Sequence, residues 1–259
     1  MIANQIRIYT KLWMHKCTKC FMLSGMQTYK HLFFDMDLTI APAREPMLDS
    51  MQELIDSLPH DIIIVSGSLV DQIKYQSNNL KAHYLGVNGN HATNEENEEL
   101  WKNPDLDERH KAEIHAHIRK ITAELEHDLR DDWHPIEDRG SQITFSPIGN
   151  KAPVDVKKKY DPDRKKREQW LRTHPFASED LMVKIGGSTS FDYIHRDRHK
   201  GSNVQKLIDH YGWNPDECVY FGDGLYPGGN DEVVIGVIDT VPVENHLDTY
   251  EKLKAAFGA

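Results

Sequence analysis

Apolar and polar positions alternate along this chain in one rhythm at its two ends and in another through its middle. Residues 32–35, 62–65 and 84–87 are short apolar runs of strand length. Between the first two, Met47, Met51, Leu54, Ile55 and Leu58 recur at helical spacing on one face. Towards the end, Val204, Leu207, Ile208 and Tyr211 mark a helix that opens at Lys200-Gly201. Strands at 218–221 and 233–238 follow, then a closing helix at 246–256. Strand and helix in alternation predict an α/β fold, a parallel sheet with helices on both faces. Ligands in that architecture sit at the carboxyl ends of the strands.

The middle, 93–195, reads as an α+β insert. Ile114, Ile118, Ile121, Leu125 and Leu129 predict one long helix. Strand-like pieces follow at 142–146, 182–185 and 189–194, with a charged helix at 161–171. His110, His115, His117 and His127 sit among charges and read as solvated helix flanks. The basic runs Lys157-Lys158-Lys159 and Arg164-Lys165-Lys166-Arg167 read the same way.

Composition narrows the function. The net charge is −10, from 31 basic and 41 acidic residues, which argues against a sequence-independent grip on nucleic acid. No run approaches the ~18 apolar residues of a membrane span. Three cysteines are too few for a disulfide framework, so a cytoplasmic location is expected. Residues 1–29 read as a mobile N-terminal extension, with Met22 and Met26 both ahead of the first strand. Within it, Cys17 and Cys20 with His15 have metal-ligand spacing but lack a fourth partner.

The chemistry concentrates where apolar runs stop. Asp35 and Asp37 lie two apart at the end of the first run, so in an extended segment both carboxylates point one way. Like charges that close are costly, and a divalent cation or a shared proton is the usual reason to tolerate them. Ser66-Gly67-Ser68 ends the second run, and Gly222-Asp223 ends the run at 218–221, with Gly228-Gly229-Asn230-Asp231 just beyond.

These three segments and the helix opening at Lys200-Gly201, which lies between the second and the last, resemble in this order the four motifs of the haloacid dehalogenase (HAD) superfamily of phosphoryl-transfer enzymes. The detail resembles its phosphomannomutase-like branch, subclass IIB, over nearly everything from residue 30 onward. Ala41-Pro42-Ala43-Arg44, the stretch from Arg139 to Gly149 with its Ser146-Pro147-Ile148-Gly149 turn, and Gly186-Gly187 through Ser190-Phe191-Asp192 carry that finer likeness. The resemblance implies a HAD-type Rossmann-like core at 30–92 and 196–259 and a cap domain at 93–195, hinged near 90–94 and 195–198. It implies Asp35 as nucleophile, Asp37 as acid/base, and Ser66 and Lys200 as phosphate holders. Mg²⁺ would be held by Asp35, Asp223 and the backbone carbonyl of Asp37, with Asn230 and Asp231 one layer behind. Arg44, Gly67, Arg139, Asn150, Lys157, Ser190 and Asp192 would bind the substrate, a small-molecule sugar phosphate, once the cap closes. A homodimer stays an open alternative.

Departures from the family pattern bear on the reaction. Leu38 stands where Gly is usual, Asn150 and Lys157 where Arg is usual, and Gly224 where the mutases commonly have Lys. Arg offers a planar fork that Asn cannot replace and Lys copies only in part. A weakened cradle for a distal phosphate favours a sugar-phosphate phosphatase. The alternatives are a phosphomannomutase and, less favoured, an inactive scaffold that binds a phosphorylated ligand.

Overall fold

The computed structural model describes residues 23–126 and 129–258. The Cys17 and Cys20 pair, His15 and His127 lie outside the described residues. The apolar runs at both ends of the chain join one sheet. Its elements are β1 (His31–Asp35), α1 (Asp49–Asp56), β2 (Asp61–Val65), α2 (Val70–Gln76), β3 (His83–Gly86), β4 (His91–Thr93) and β5 (Glu99–Lys102). The insert follows with α3 (Glu108–Thr122), β6 (Ile136–Asp138), β7 (Gln142–Phe145), α4 (Val154–Tyr160), α5 (Lys165–Thr173), β8 (Leu181–Gly186) and β9 (Ser190–His195). The chain returns through α6 (Lys200–Tyr211), β10 (Cys218–Gly222), β11 (Asp239–Pro242) and α7 (His246–Phe257).

The first sheet has seven strands in the order β11-β10-β1-β2-β3-β4-β5. Pairing is parallel from β11 to β3, and β4 and β5 add an antiparallel edge. β1 is buried at every position, and its alternate residues serve opposite faces. Leu32 and Phe34 join Met51, Ile55, Ile73 and Leu253 on one side, while Phe33 joins Val204, Leu207 and Ile208 on the other. Fully burying one such side chain stabilises by roughly 1.5–3 kcal/mol, so β1 is fixed by both faces at once. Strand order reverses at β1, between β10 and β2, and that reversal opens a crevice at its carboxyl end.

The second sheet has four antiparallel strands, β6-β7-β9-β8. Ile114, Ile118 and Ile121 of α3 cover Ile143, Phe145, Phe191 and Tyr193 on it, a third core of its own. The two chain crossings between the units meet at one side chain. Asn90, fully buried, donates from Nδ2 to Arg198 O at 3.0 Å and accepts from Asn103 Nδ2 at 3.0 Å.

Several elements differ from the sequence reading. Met26 and Tyr29 belong to the first core cluster, so residues assigned to an N-terminal extension are part of the folded unit. β5 pairs in the first sheet, so that unit runs past residue 92 and the first crossing lies after Lys102. The apolar run at 233–238 is no strand: it holds a 3-10 turn over Glu232–Val234, turns at Gly236 (φ 91°), and the strand starts at Asp239. The helix carrying Ile114 stops at Thr122, short of Leu125 and Leu129. The charged helix at 161–171 is two helices, because Pro162 forces Asp161 out of helical geometry (φ −146°, ψ 64°). α2 and the β4–β5 hairpin went unread, being too short to show a period.

Candidate active site

β1 delivers Asp35 to the crevice, and the chain then turns sharply. Leu38 sits in the left-handed region at φ 62°, with its N–H donated to Ala41 O at 2.8 Å. The turn brings Arg44 back so that its N–H donates to Asp37 Oδ1 at 2.6 Å, and Gln76 Nε2 of α2 donates to the same oxygen at 2.7 Å. Asp37 Oδ1 is thereby occupied, and no hydrogen bond to Oδ2 is found among the described residues.

Behind Asp35 lies a buried charge centre. Lys200 opens α6 under a His199 cap, and Gly201 follows because Val233 O stands 1.9 Å from where a Cβ would be. The Lys200 ammonium donates to Asp35 Oδ1 at 2.5 Å, Asp231 Oδ1 at 2.7 Å and Tyr220 Oη at 3.4 Å. Burial works against its charge, but Asp231 and Asp35 outweigh it and hold it well above the ordinary lysine range. Lys200 therefore stands behind Asp35 and is not among the residues lining the cavity.

Asp35, Asp223 and Asp231 each offer a carboxylate oxygen, all within 4.8 Å of one another. Asp231 is already satisfied by Lys200, by Tyr220 Oη at 2.8 Å and by Gly224 N at 3.1 Å. Asp35 and Asp223 face each other with one ammonium between three carboxylates. Burial pushes Asp35 well above the usual carboxylate range against the pull of Lys200, and burial with the Asp231 charge pushes Asp223 up to about 6. A divalent cation with oxygen ligands fits that uncompensated pair. Asp37 contributes no carboxylate to this cluster among the described residues, so only its main chain can serve as the sequence reading supposed.

The crevice is one end of a cavity of about 460 Å³ lined in part by the insert. Asp35, Asp37, Ser66, Gly67, Asp223 and Asn230 line its floor. Arg44 of the core and Arg139, Lys157, Ser190 and Asp192 of the insert line the rest. Asn230 reaches the wall itself, while Asp231 lies buried beneath. Arg139 crosses to the core and donates to Gly67 O at 2.5 Å, its other arm paired with Glu137 at 2.6 Å. A chain of hydrogen bonds runs from Asn88 Nδ2 to Gln142 Oε1 at 2.7 Å, Gln142 Nε2 to Thr144 Oγ1 at 2.7 Å and Thr144 Oγ1 to Asp192 Oδ1 at 2.8 Å.

Asn150 is the exception. It is 3% exposed and off the cavity wall, with its amide donated to His134 O at 3.1 Å, Pro135 O at 3.3 Å and Thr144 O at 3.4 Å. Lys157 and Arg167 are buried, not a wet helical face, because α4 and α5 fold against the second sheet. His110 and His117 are buried too, His117 between Tyr193 Oη at 2.8 Å and His174 O at 2.7 Å.

Residues 32–231 match the family described as haloacid dehalogenase-like hydrolase. The chain belongs to that family. Among curated relatives, a phosphomannomutase of Drosophila melanogaster is 33% identical over 37% of this chain and 39% of its own length. One of Schizosaccharomyces pombe is 27% identical over 87% of this chain and 93% of its own. The chain thus spans well under two thirds of the fly protein's length. Among solved structures, the C-terminal domain of C. albicans trehalose-6-phosphate phosphatase superposes with a TM-score of 0.67 at 16% identity, over 93% of this chain and 97% of that one. The Plasmodium falciparum IMP-nucleotidase with bound IMP gives 0.64 at 15%, over 89% and 68%. At those identities the likeness is one of fold.

In this haloacid dehalogenase-like hydrolase, sequence reasoning missed several wall residues, Asn88, Thr144, Arg164, Arg167 and Tyr226 among them. Arg164 Nη1 donates to Tyr226 Oη at 2.5 Å and Nη2 to Gly228 O at 2.8 Å, tying the cap to the loop after Asp223. Nothing in their spacing marks them; Pro162 was the one local sign that the basic run is broken.

Leu38 yields a prediction on stability. It is 41% exposed, so little burial is lost on truncation, while its left-handed backbone strains any side chain. Leu38→Gly is expected to raise the unfolding free energy by about 1 kcal/mol, net of the glycine entropy. Urea unfolding measures it, and an unchanged or lower midpoint counts against the strain.

Proposed function

We propose that this hydrolase is a Mg²⁺-dependent sugar-phosphate phosphatase working through a phosphoaspartate at Asp35. The observation that carries the reading is the pairing in one cavity of Asp35, fixed by Lys200, with Asp37, fixed through Oδ1 alone. An Asp35 oxygen attacks phosphorus as the bond to the sugar oxygen breaks, and Asp37 gives that oxygen its proton. Asp37 then takes a proton from water, whose oxygen attacks phosphorus, and Asp35 leaves as the free carboxylate. Lys200 holds Asp35 in place and balances the charge on Asp35 and Asp231 through both steps. Ser66 lines the floor beside them and would hold a phosphoryl oxygen. Asp35 and Asp223 would hold Mg²⁺, which supplies charge neutralisation at the phosphoryl oxygens when bound. Arg44, Ser190 and Asp192 would read the sugar. A chain whose described cysteine is buried and unpaired suits a reducing cytoplasm.

Phosphomannomutase is the second reading, favoured by the relatives and by the Arg44, Arg139 and Lys157 wall. Three observations weigh against it. Arg139 is committed to Gly67 and Glu137, Asn150 is withdrawn into the cap, and a side chain at Gly224 would meet Asn230 Oδ1 at 1.9 Å.

Asp35→Asn is expected to lose at least about 10³-fold in kcat with an unchanged melting temperature, since the amide cannot attack phosphorus. Substantial phosphate release by the variant would remove Asp35 as nucleophile. EDTA should silence the wild type and Mg²⁺ restore it; indifference to chelator rejects the metal.

Burial lowers the Lys157 ammonium to about 8, with Arg44 and Arg139 adding to the effect. The free enzyme loses this positive charge as pH rises through that value, so kcat/KM for a sugar phosphate should fall above it. Lys157→Arg keeps its charge and should move the fall to higher pH. The same break in the variant would assign it elsewhere.

The two readings separate in one tube holding mannose 1-phosphate, with and without a hexose 1,6-bisphosphate. Steady release of inorganic phosphate that gains nothing from the bisphosphate is expected. Activator-dependent 6-phosphate isomer in excess of phosphate would make the protein a mutase.

A further inference from the structure

The β8–β9 turn that carries Ser190 is held by a nearly buried side chain at the edge of the cavity wall that has no role in the reaction above. Arg167, in the first turn of α5, has a side chain 1% exposed and pairs through Nε with Asp161 Oδ2 at 2.7 Å, Asp161 being fully buried in its side chain. Its Nη1 donates to Gly186 O at 2.9 Å, Gly187 O at 3.0 Å and Ser190 O at 3.4 Å. Three carbonyl dipoles therefore converge on one guanidinium. Without a cation they would repel one another, and the turn would relax to separate them. Ser190 Oγ donates to Gly186 O at 2.9 Å, and Asp192 Oδ2 stands 2.3 Å from where a Gly186 Cβ would be, so both side chains pack on the same stretch of backbone. Asp161 is fixed in turn, its Oδ1 accepting from Lys166 N at 3.0 Å.

Taking a charge pair out of water is costly, and an apolar pair of the same volume would fill the space as well. What the pair adds is a fixed geometry at the turn. We infer that Arg167 is a positioning residue for substrate specificity: it sets the Gly186–Ser190 turn so that Ser190 and Asp192 meet the sugar, and it acts through them. A planar fork can serve several carbonyls at once where a lysine ammonium copies it only in part. The role rests on the sugar-phosphate reading, because only a substrate that reaches the cap feels the turn.

The test compares two substrates in the full-length enzyme, a hexose 6-phosphate and acetyl phosphate, which has no ring to reach the cap. Arg167→Lys is expected to raise KM for the hexose phosphate by about tenfold, the scale of a lost hydrogen bond to a charged group. Its kcat should change little, and kcat/KM for acetyl phosphate should stay within about twofold. In the double variant with Ser190→Ala the KM effects should fall well short of multiplying, since both act on one contact. Equal losses on both substrates would make Arg167 a general structural residue and overturn the inference alone. Should Arg167→Lys not fold, Gly187→Ala carries the test: at φ 43° an alanine distorts the turn and leaves the ion pair untouched. It should raise the hexose phosphate KM selectively, and an unchanged KM overturns the inference. A wild type that cleaves acetyl phosphate but no hexose phosphate overturns the substrate reading and this role with it.

Discussion

A single buried ammonium organises the centre of this molecule. Among the described residues Lys200 is the one cation set among Asp35, Asp231 and Asp223, paired directly with the first two. Breaking such a pair from one side costs about 3–5 kcal/mol, since it strands a charge in low dielectric. The constraint reaches outwards. Asp231 also accepts from Tyr220 Oη and the Gly224 N–H, and Gly224 must lack a side chain so that Asn230 can lie over it. One ammonium for three carboxylates leaves a surplus of negative charge facing the cavity, and a metal cation answers that surplus.

The site becomes a cavity only because the insert lies against this centre. Arg139 on Gly67, Gln142 on Asn88 and Arg164 on Tyr226 are polar contacts between the units, each made at a residue that also lines the cavity. Joining the units and shaping the pocket are thus done by the same side chains.

Much of the core was legible in the sequence because two-faced burial leaves a plain signature. The runs ending in Asp35, Ser66 and Asp223 show no polar face, and carboxylates just beyond such runs have nowhere to go but the crevice. Motif order then gave the family. What stayed hidden depends on tertiary neighbours. Asn150 and Lys157 look alike as family departures, yet one faces three carbonyls and the other the cavity. Arg167 and His117 sit in polar segments and are buried by partners more than fifteen residues away, His174, Tyr193 and the Gly186–Ser190 turn among them. The apolar run at 233–238 misled for the opposite reason: it packs beside α6 as a turn, where hydrophobicity is needed and a strand is not.

The junction at Asn90 has a mechanical meaning. Both passages of chain between the units are bonded to the same amide, one by its nitrogen and one by its oxygen. Two separate linkers would let a cap slide, tilt and twist independently. A shared anchor couples them into something closer to a pin joint, which permits swing and resists drift. A body swinging on a pin falls back to the same seat after every excursion, and a recognition face needs placement good to about half an ångström. Repeatability, more than reach, is what this joint supplies.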